Sequence, residues 1–245
     1  MKDVVHAEHQ DAEHWWFKAR RHIFERVLDT NVGLEREARI LDLGPGSGVN
    51  MPVLGPRGRV TVVDVSRYSL EQCRAAGAQL VVQADATIPP FAANSFDAVT
   101  ALDVLEHLDN DRAALSELHR VLRPDGWLMA SVPAFPVLWG RQDVLSHHKR
   151  RYKRGELQER MRAAGFEVVR ESYFNTWLFA PILLVRLLMR PFLSKSVEGG
   201  SDLSLRLPFG LDGLLYRLFA SEAGWVVKRR LPVGVSLLVL ARPKG

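Results

Sequence analysis

The chain has 245 residues, 47% of them hydrophobic and 25% charged, with a formal net charge of +5. That is enough apolar material for one large domain, and the charge is too mild to imply nucleic acid by itself. A single cysteine, Cys73, excludes an intrachain disulfide and a cysteine-based metal cluster.

The opening stretch MKDVVHAEHQDAEHWWF carries acids and histidines and no apolar core, so no signal peptide is expected and a cytoplasmic location follows. From about 13 to 30 the pattern is helical, with Trp16, Ile23 and Val27 on one stripe. Arg39 to Leu43 reads as a buried strand entering a glycine-rich turn, and Arg59 to Asp64 as a second strand ending in an acid. A helix from Tyr68 to Ala76 and a strand from Gln79 to Gln83 follow. Phe96 to Leu102 is a fourth strand, Asp109 to Leu122 a helix stopped by Pro124-Asp-Gly, and Trp127 to Val132 a fifth strand. After a long loop come a helix over Arg154–Ala164 and strands over Phe166–Ser172 and Val233–Ala241. Between those strands lies an apolar insertion, about 174 to 230, with a hinge at Glu198-Gly-Gly-Ser-Asp. The alternation predicts one α/β domain over 1–245, a mainly parallel sheet with helices on both faces.

The strongest local signal is Leu41-Asp42-Leu43-Gly44-Pro45-Gly46-Ser47-Gly48. Glycines at the end of a first strand allow a sharp turn and a close approach of ligand to backbone. In an open α/β sheet, that turn sits where ligands bind, outside the carboxyl ends of the strands. Asp64, twenty positions after Gly44, is placed to accept hydrogen bonds from ribose hydroxyls. A dinucleotide fingerprint would need glycine at Val49, so nicotinamide binding is disfavoured. Asp85, after the third strand, faces the same crevice and suits an adenine amine; a plain turn aspartate is the alternative.

Taken together, Ile40 to Gly48, Val63-Asp64-Val65-Ser66, Asp85-Ala86, Phe96 to Val99, Asp103-Val-Leu-Glu106-His107 and Val121 to Gly126 resemble the class I S-adenosylmethionine-dependent methyltransferases. The likeness is to the broad group with the small-molecule and ubiquinone-biosynthesis type domain. It implies a Rossmann-like seven-stranded sheet with the last strand antiparallel. It also implies that S-adenosylmethionine is the cofactor and S-adenosylhomocysteine the product. On that resemblance Asp42 and the Gly44, Pro45, Gly46 and Gly48 turn hold the methionine part, Asp64 with Val65 the ribose, and Asp85 with Ala86 the adenine. Leu102 and Asp103 would line the site near the sulfonium. Glu13 to Arg21 resembles an N-terminal lid helix that packs over the cofactor. Trp16 then closes the pocket or joins the core, and Arg20 reaches the cofactor carboxylate or lies on an exposed face.

Methyl transfer from a sulfonium chiefly needs alignment and exclusion of water, and a hydroxyl acceptor also needs a base. His148, with Asp143 five residues earlier as orienting carboxylate, and His107, off the end of strand four, are the catalytic candidates. No metal is expected, because no His/Asp/Glu set shows ligand spacing around a common point. The expected acceptor is a small molecule or a lipid- or glycan-linked one, methylated on O or N. The basic block Lys149 to Arg154 suits phosphate or is a solvated loop; RNA is disfavoured, since no RNA-binding module is visible. The apolar run 177–193 is interrupted by Arg186 and Arg190 and is too short to span a membrane, which needs about 20 apolar residues. It suits either peripheral membrane contact or a cover over the acceptor pocket or a homodimer contact. The rival from another class is a non-catalytic, cofactor-binding partner subunit.

Overall fold

The computed structural model describes residues 12–34, 37–189 and 210–244. Seven strands form one sheet in the order β3-β2-β1-β4-β5-β7-β6. They are β1 (Ala38–Leu43), β2 (Gly58–Asp64), β3 (Leu80–Gln83), β4 (Phe96–Leu102), β5 (Leu122–Pro133), β6 (Phe166–Phe174) and β7 (Ser236–Pro243). The first five are mutually parallel, and β7 is antiparallel to both β5 and β6. This is the expected α/β class with an antiparallel last strand.

Strand β5 begins earlier than its sequence suggests. Pro124-Asp-Gly reads as a stop, yet Leu122 already pairs with Phe96, and the register then shifts so that Ala98 pairs with Trp127. An irregularity at the edge of pairing absorbs the turn residues inside the strand.

Side-chain alternation sorts the sheet into two faces. On one, Leu41, Leu43, Val99 and Val239 pack against α4 (Asp111–Val121) and α6 (Glu156–Ala163). On the other, Ile40, Val60, Val62, Met129 and Leu240 meet α1 (Trp15–Asn31), the short α2 (Met51–Leu54) and α3 (Arg67–Ala75). Helix α3 starts at Ser66, whose hydroxyl accepts from the Ser69 amide at 3.3 Å. Helix α4 starts likewise at Asn110, whose Oδ1 accepts from the Ala113 amide at 3.0 Å.

The insertion before β7 contributes α7 (Phe179–Met189), α8 (Leu211–Ala220) and α9 (Ala223–Lys228). Helices α8 and α9 lie on α1: Phe219, Val226 and Val227 are buried in the same core as Ile23, Phe24 and Val27. Trp16 is half-buried, with its ring 5.2 Å from that of Phe219, so it belongs to this core. Helix α7 stands apart with Leu184, Val185, Leu187 and Leu188 exposed. Arg186 does not share that outward face, since a Cβ on Gly140 would fall 2.0 Å from its guanidinium. Arg190, the end of the apolar run and the Glu198 hinge lie outside the described residues.

Arg20 joins α1 to the sheet. It is buried, and its guanidinium pairs with Asp103 and donates to Ser131 Oγ at 3.1 Å and Ser236 Oγ at 3.4 Å. It lies over the rings of Phe24 and Phe174, at 5.2 and 5.0 Å. The exposed-face reading of Arg20 is therefore corrected: burial among apolar α1 and sheet residues draws the side chain inward, where Asp103 answers the charge.

Arg20→Ala is expected to destabilise the protein by about 2–3 kcal/mol, below the ~3–5 of a fully buried pair because Asp103 is partly exposed. Arg20→Lys should recover little, since one ammonium cannot reproduce a fork reaching three acceptors. Chemical denaturation of the three proteins checks both, and a Lys variant as stable as wild type would reject the account.

Candidate active site

The carboxyl edge of the sheet gathers the predicted binding residues in order. Leu43 pairs with Val63 and Ala101, and Asp64 pairs with Gln83, so the turns leaving β1, β2 and β3 are neighbours. Adjacent strands are about 4.8 Å apart, so Gly44, Asp64 and the Asp85 turn follow neighbouring strand ends. The amide of Gly44 donates to Val63 O at 2.9 Å and that of Ala84 to Asp64 O at 3.2 Å, stitching the turns together.

The glycine turn needs glycine. Gly44, Gly46 and Gly48 have φ of 60°, 58° and 77°. A Cβ on Gly44 would stand 2.4 Å from Val104 Cγ2, and one on Gly48 would press the buried Cys73 at 3.3 Å. Pro45 lies between the first two of these glycines. The turn is thus a backbone cradle in which Val104 and Cys73 take the space a Cβ would need. Burial pushes the Cys73 thiol up to about 12, with the charges of Asp42 and Asp64 adding, so it stays protonated at neutral pH.

Beneath the cradle, Asp42 is 1% exposed. Its Oδ1 accepts from Thr100 Oγ1 at 2.6 Å, across the β1–β4 register, while its Oδ2 has no hydrogen-bond partner. Burial pushes this carboxyl up to about 7, against the Thr100 bond, with the charge of Asp64 adding. An unsatisfied carboxylate oxygen below a glycine cradle fits a ligand that carries both a cation and a close-lying chain. Asp64 is half-buried, with Oδ1 accepting from the Ser66 amide at 2.8 Å, and Val65 beside it is exposed. Asp85 is exposed; its Oδ1 accepts from the Thr87 amide and hydroxyl at 2.7 and 2.6 Å, which hold its carboxyl below the usual range. The turn role foreseen for Asp85 is thus present, and Ala86 next to it is buried.

At the end of β4, Leu102 is buried and Asp103 takes a φ of 57°. That conformation, uncommon outside glycine, points the chain into a short turn over Leu105–His107. Glu106 within it is wholly buried, and neither carboxylate oxygen has a hydrogen-bond partner. Burial pushes its carboxyl well above the ordinary range; the charge of Asp103 adds, and its own backbone amide, Arg20 and Arg151 oppose.

The loop after β5 brings the second half of the site. Helix α5 (Arg141–Leu145) opens at Gly140, whose amide donates to Asp143 Oδ2 at 2.8 Å. Asp143 Oδ1 lies 2.8 Å from His148 Nδ1 and accepts from Arg151 Nε at 2.7 Å. Burial alone would push Asp143 up, but the bonds from His148 and Arg151 outweigh it and hold the carboxyl below its ordinary value. An ionised Asp143 places the proton on Nδ1 and leaves the Nε2 lone pair of His148 available. The His148 and His107 rings meet edge to face at 4.8 Å, and His148 Nε2 is 3.9 Å from Glu106 Oε1. Nitrogen or oxygen atoms of Glu106, His107 and His148 all lie within 4.8 Å of one another. The set does not arise from ligand spacing along a helix: residues 42 positions apart meet only through the fold. Glu106, present in the quoted motif but not singled out, carried one legible signal, an acid inside the apolar run Val104 to Leu108.

The basic block is also corrected. Lys149 pairs with Asp109, Arg150 with Asp111 at 3.2 Å, and Arg151 with Asp143, while Tyr152 donates to Asp111 at 2.6 Å. Arg150 and Arg151 are thereby tied to the buried acids Asp111 and Asp143, which replaces the solvated-loop reading at those two positions, whereas the Lys149–Asp109 pair lies at the surface. Lys153 and Arg154 stand exposed.

Residues 41–130 match the family described as methyltransferase domain. Residues 41–130 thus carry the domain of the class I S-adenosylmethionine-dependent methyltransferases. The chain is 31% identical over 140 residues to the ubiquinone/menaquinone biosynthesis C-methyltransferase of Photorhabdus laumondii, an alignment covering 51% of this chain and 56% of that protein. It is 30% identical over 164 residues to the ubiquinone biosynthesis O-methyltransferase of Idiomarina loihiensis, covering 59% and 66%. Against relatives such as the first, the chain spans about half of their length. Among solved structures, one described as a putative methyltransferase from Bacillus halodurans superposes with a TM-score of 0.61 at 22% identity, covering 91% of this chain and 99% of that one, a likeness of fold.

Because the folded pKa of Asp42 lies above its unfolded value, the folded state binds the extra proton between about 4 and 7. Stability should therefore fall as pH rises through that window and level off above it. Asp42→Asn removes the titrating group, so its melting temperature should gain on wild type at pH 8 and match it near pH 4. Parallel pH dependences for the two proteins would contradict the burial of an uncompensated charge.

Proposed function

We propose that this methyltransferase acts on a hydroxylated, ring-bearing acceptor, removing the hydroxyl proton with His148 while the cofactor lies in the Gly44–Gly48 cradle. The observation that carries this reading is the Arg151–Asp143–His148 chain, which fixes the tautomer of a histidine beside the end of β4. Neutral amine acceptors need no such base.

The cofactor supplies a methyl group on a positively charged sulfur, an electrophile already activated. The residues of the chain provide the rest. The glycine turn takes the chain of the methionine part by its backbone, and Asp42 Oδ2 answers its ammonium. Asp64 accepts from the ribose hydroxyls, with Val65 against the sugar, and the Asp85–Ala86 turn meets the adenine. Leu102 lines the approach, and Asp103, held by Arg20, fixes the backbone there. Nε2 of His148 accepts the acceptor's proton, and Asp143 stabilises the resulting imidazolium. His107, packed edge-on to that ring, limits its rotation.

Removal of a phenolic proton spreads charge over oxygen and ring carbon, so the same base serves O- or C-methylation. The C-methyltransferase and O-methyltransferase names of the two relatives support a quinol-like ring and divide over the atom. An acceptor of that kind carries an apolar tail, and the exposed leucines of α7 and α8 offer it, or the membrane holding it, a surface. Among the described residues no helix is long and apolar enough to cross a membrane.

Calorimetric titration tests cofactor placement: Asp64→Ala should weaken S-adenosylmethionine binding by about 1–3 kcal/mol. His148→Ala should lower turnover of a hydroquinone acceptor about 100-fold or more with cofactor affinity nearly unchanged. Equal losses of binding and turnover would assign His148 to holding the cofactor site closed. For the apolar surface, co-sedimentation with anionic vesicles should drop in the Leu184→Glu/Leu188→Glu double variant; sedimentation equal to wild type would remove the membrane from the proposal.

A further inference from the structure

We infer that Glu106, His107 and His148 form a binding site for one divalent first-row transition-metal ion. Two imidazoles and one carboxylate offer ligand atoms within 4.8 Å of one another. Around an ion bound at about 2.0–2.1 Å, such atoms sit about 3–3.5 Å apart, so ring rotations of an ångström or so close the set. Nitrogen-rich donor sets of this kind select zinc, cobalt, iron or manganese over magnesium and calcium, which prefer oxygen.

A second, independent observation points to a cation. Glu106 is fully buried and both of its carboxylate oxygens lack a hydrogen-bond partner. His148 Nε2 is 3.9 Å from Glu106 Oε1, beyond hydrogen-bonding distance. A buried acid left open in this way is costly unless a charge of opposite sign completes it.

The surroundings have the form of a ligand-orienting shell. Asp143 Oδ1 accepts a hydrogen bond from Nδ1–H of His148 at 2.8 Å and so leaves the Nε2 lone pair free to face Glu106, the arrangement that fixes metal-binding histidines. Asp143 is itself held by Arg151 and the Gly140 amide. The two contributing segments are tied by backbone bonds: the Lys149 amide donates to Glu106 O at 2.8 Å, and the His148 amide to Asp143 O at 2.8 Å. The donors are therefore placed before any ion arrives, which lowers the cost of binding it.

Three protein ligands leave coordination positions open. On the reading proposed above, an acceptor oxygen takes one of them; metal binding itself does not depend on that reading. The ion and the base role of Nε2 then exclude each other in a single turnover, and a bound ion lowers the acceptor's pKa in place of the histidine.

The test uses the full chain, stripped of metal by chelation and dialysis. Titration with Co2+ should give one equivalent bound with visible ligand-field absorption, lost on adding Zn2+, whereas Mg2+ competes poorly. Glu106→Gln and His148→Gln should each weaken Co2+ binding at least tenfold, and Asp143→Asn by about 10–100-fold. His22→Gln, on α1, should bind as wild type. Thermal melts identify any variant that fails to fold, and the wild-type titration decides the matter even then. Wild-type protein taking up no stoichiometric Co2+ or Zn2+, or folded Glu106→Gln and His148→Gln binding as wild type, would overturn the site. S-adenosylmethionine affinity measured on the same stripped protein reports on the methyltransferase reading separately.

Discussion

Asp103 ends β4 in a left-handed conformation and sets a carboxylate beside the buried acid of Glu106. Two like charges in that position repel, and desolvation raises the cost further. Arg20 offsets this by delivering a guanidinium from α1 into the sheet, where one planar fork meets Asp103, Ser131 and Ser236 and stacks on Phe24 and Phe174. That contact connects α1 to the ends of β4, β5 and β7. The same helix carries α8 and α9, so the insertion is anchored through it to the edge where the site lies.

The carboxyl edge thus divides into two chemistries. Beneath β1 and β2 it is a backbone cradle with buried Asp42, suited to holding a charged, chain-like ligand. Beyond β4 and β5 it is a dense set of ionisable groups, in which the buried carboxylate of Glu106 makes no hydrogen bond. The loop after β5 belongs to this second half. Arg150 and Arg151 close ion pairs with the buried Asp111 and Asp143, and the shared Asp143 positions His148.

Much of the fold was legible in the chain because its signals are local. Apolar runs of strand length, Ser66 and Asn110 as caps, and glycines where φ is positive each act within a few residues of their own position. The Pro124-Asp-Gly turn misled because pairing of Leu122 with Phe96 is a tertiary contact that outweighs the turn's local preference. Trp16 reads equally as lid or core, and only the arrival of Phe219 from the far end of the chain places it.

The amino-acid sequence by itself determined the sheet class, the glycine cradle and the order of Asp42, Asp64 and Asp85 along one edge, because strand alternation and parallel crossovers follow from short-range pattern and chirality. Tertiary structure alone decided the fate of the charges. Whether Arg20 faces solvent, whether Lys149 to Arg151 are free, and whether Glu106 meets His148 all depend on desolvation and on partners from distant segments, and Coulomb energies depend on distance in space, which spacing along a chain does not report.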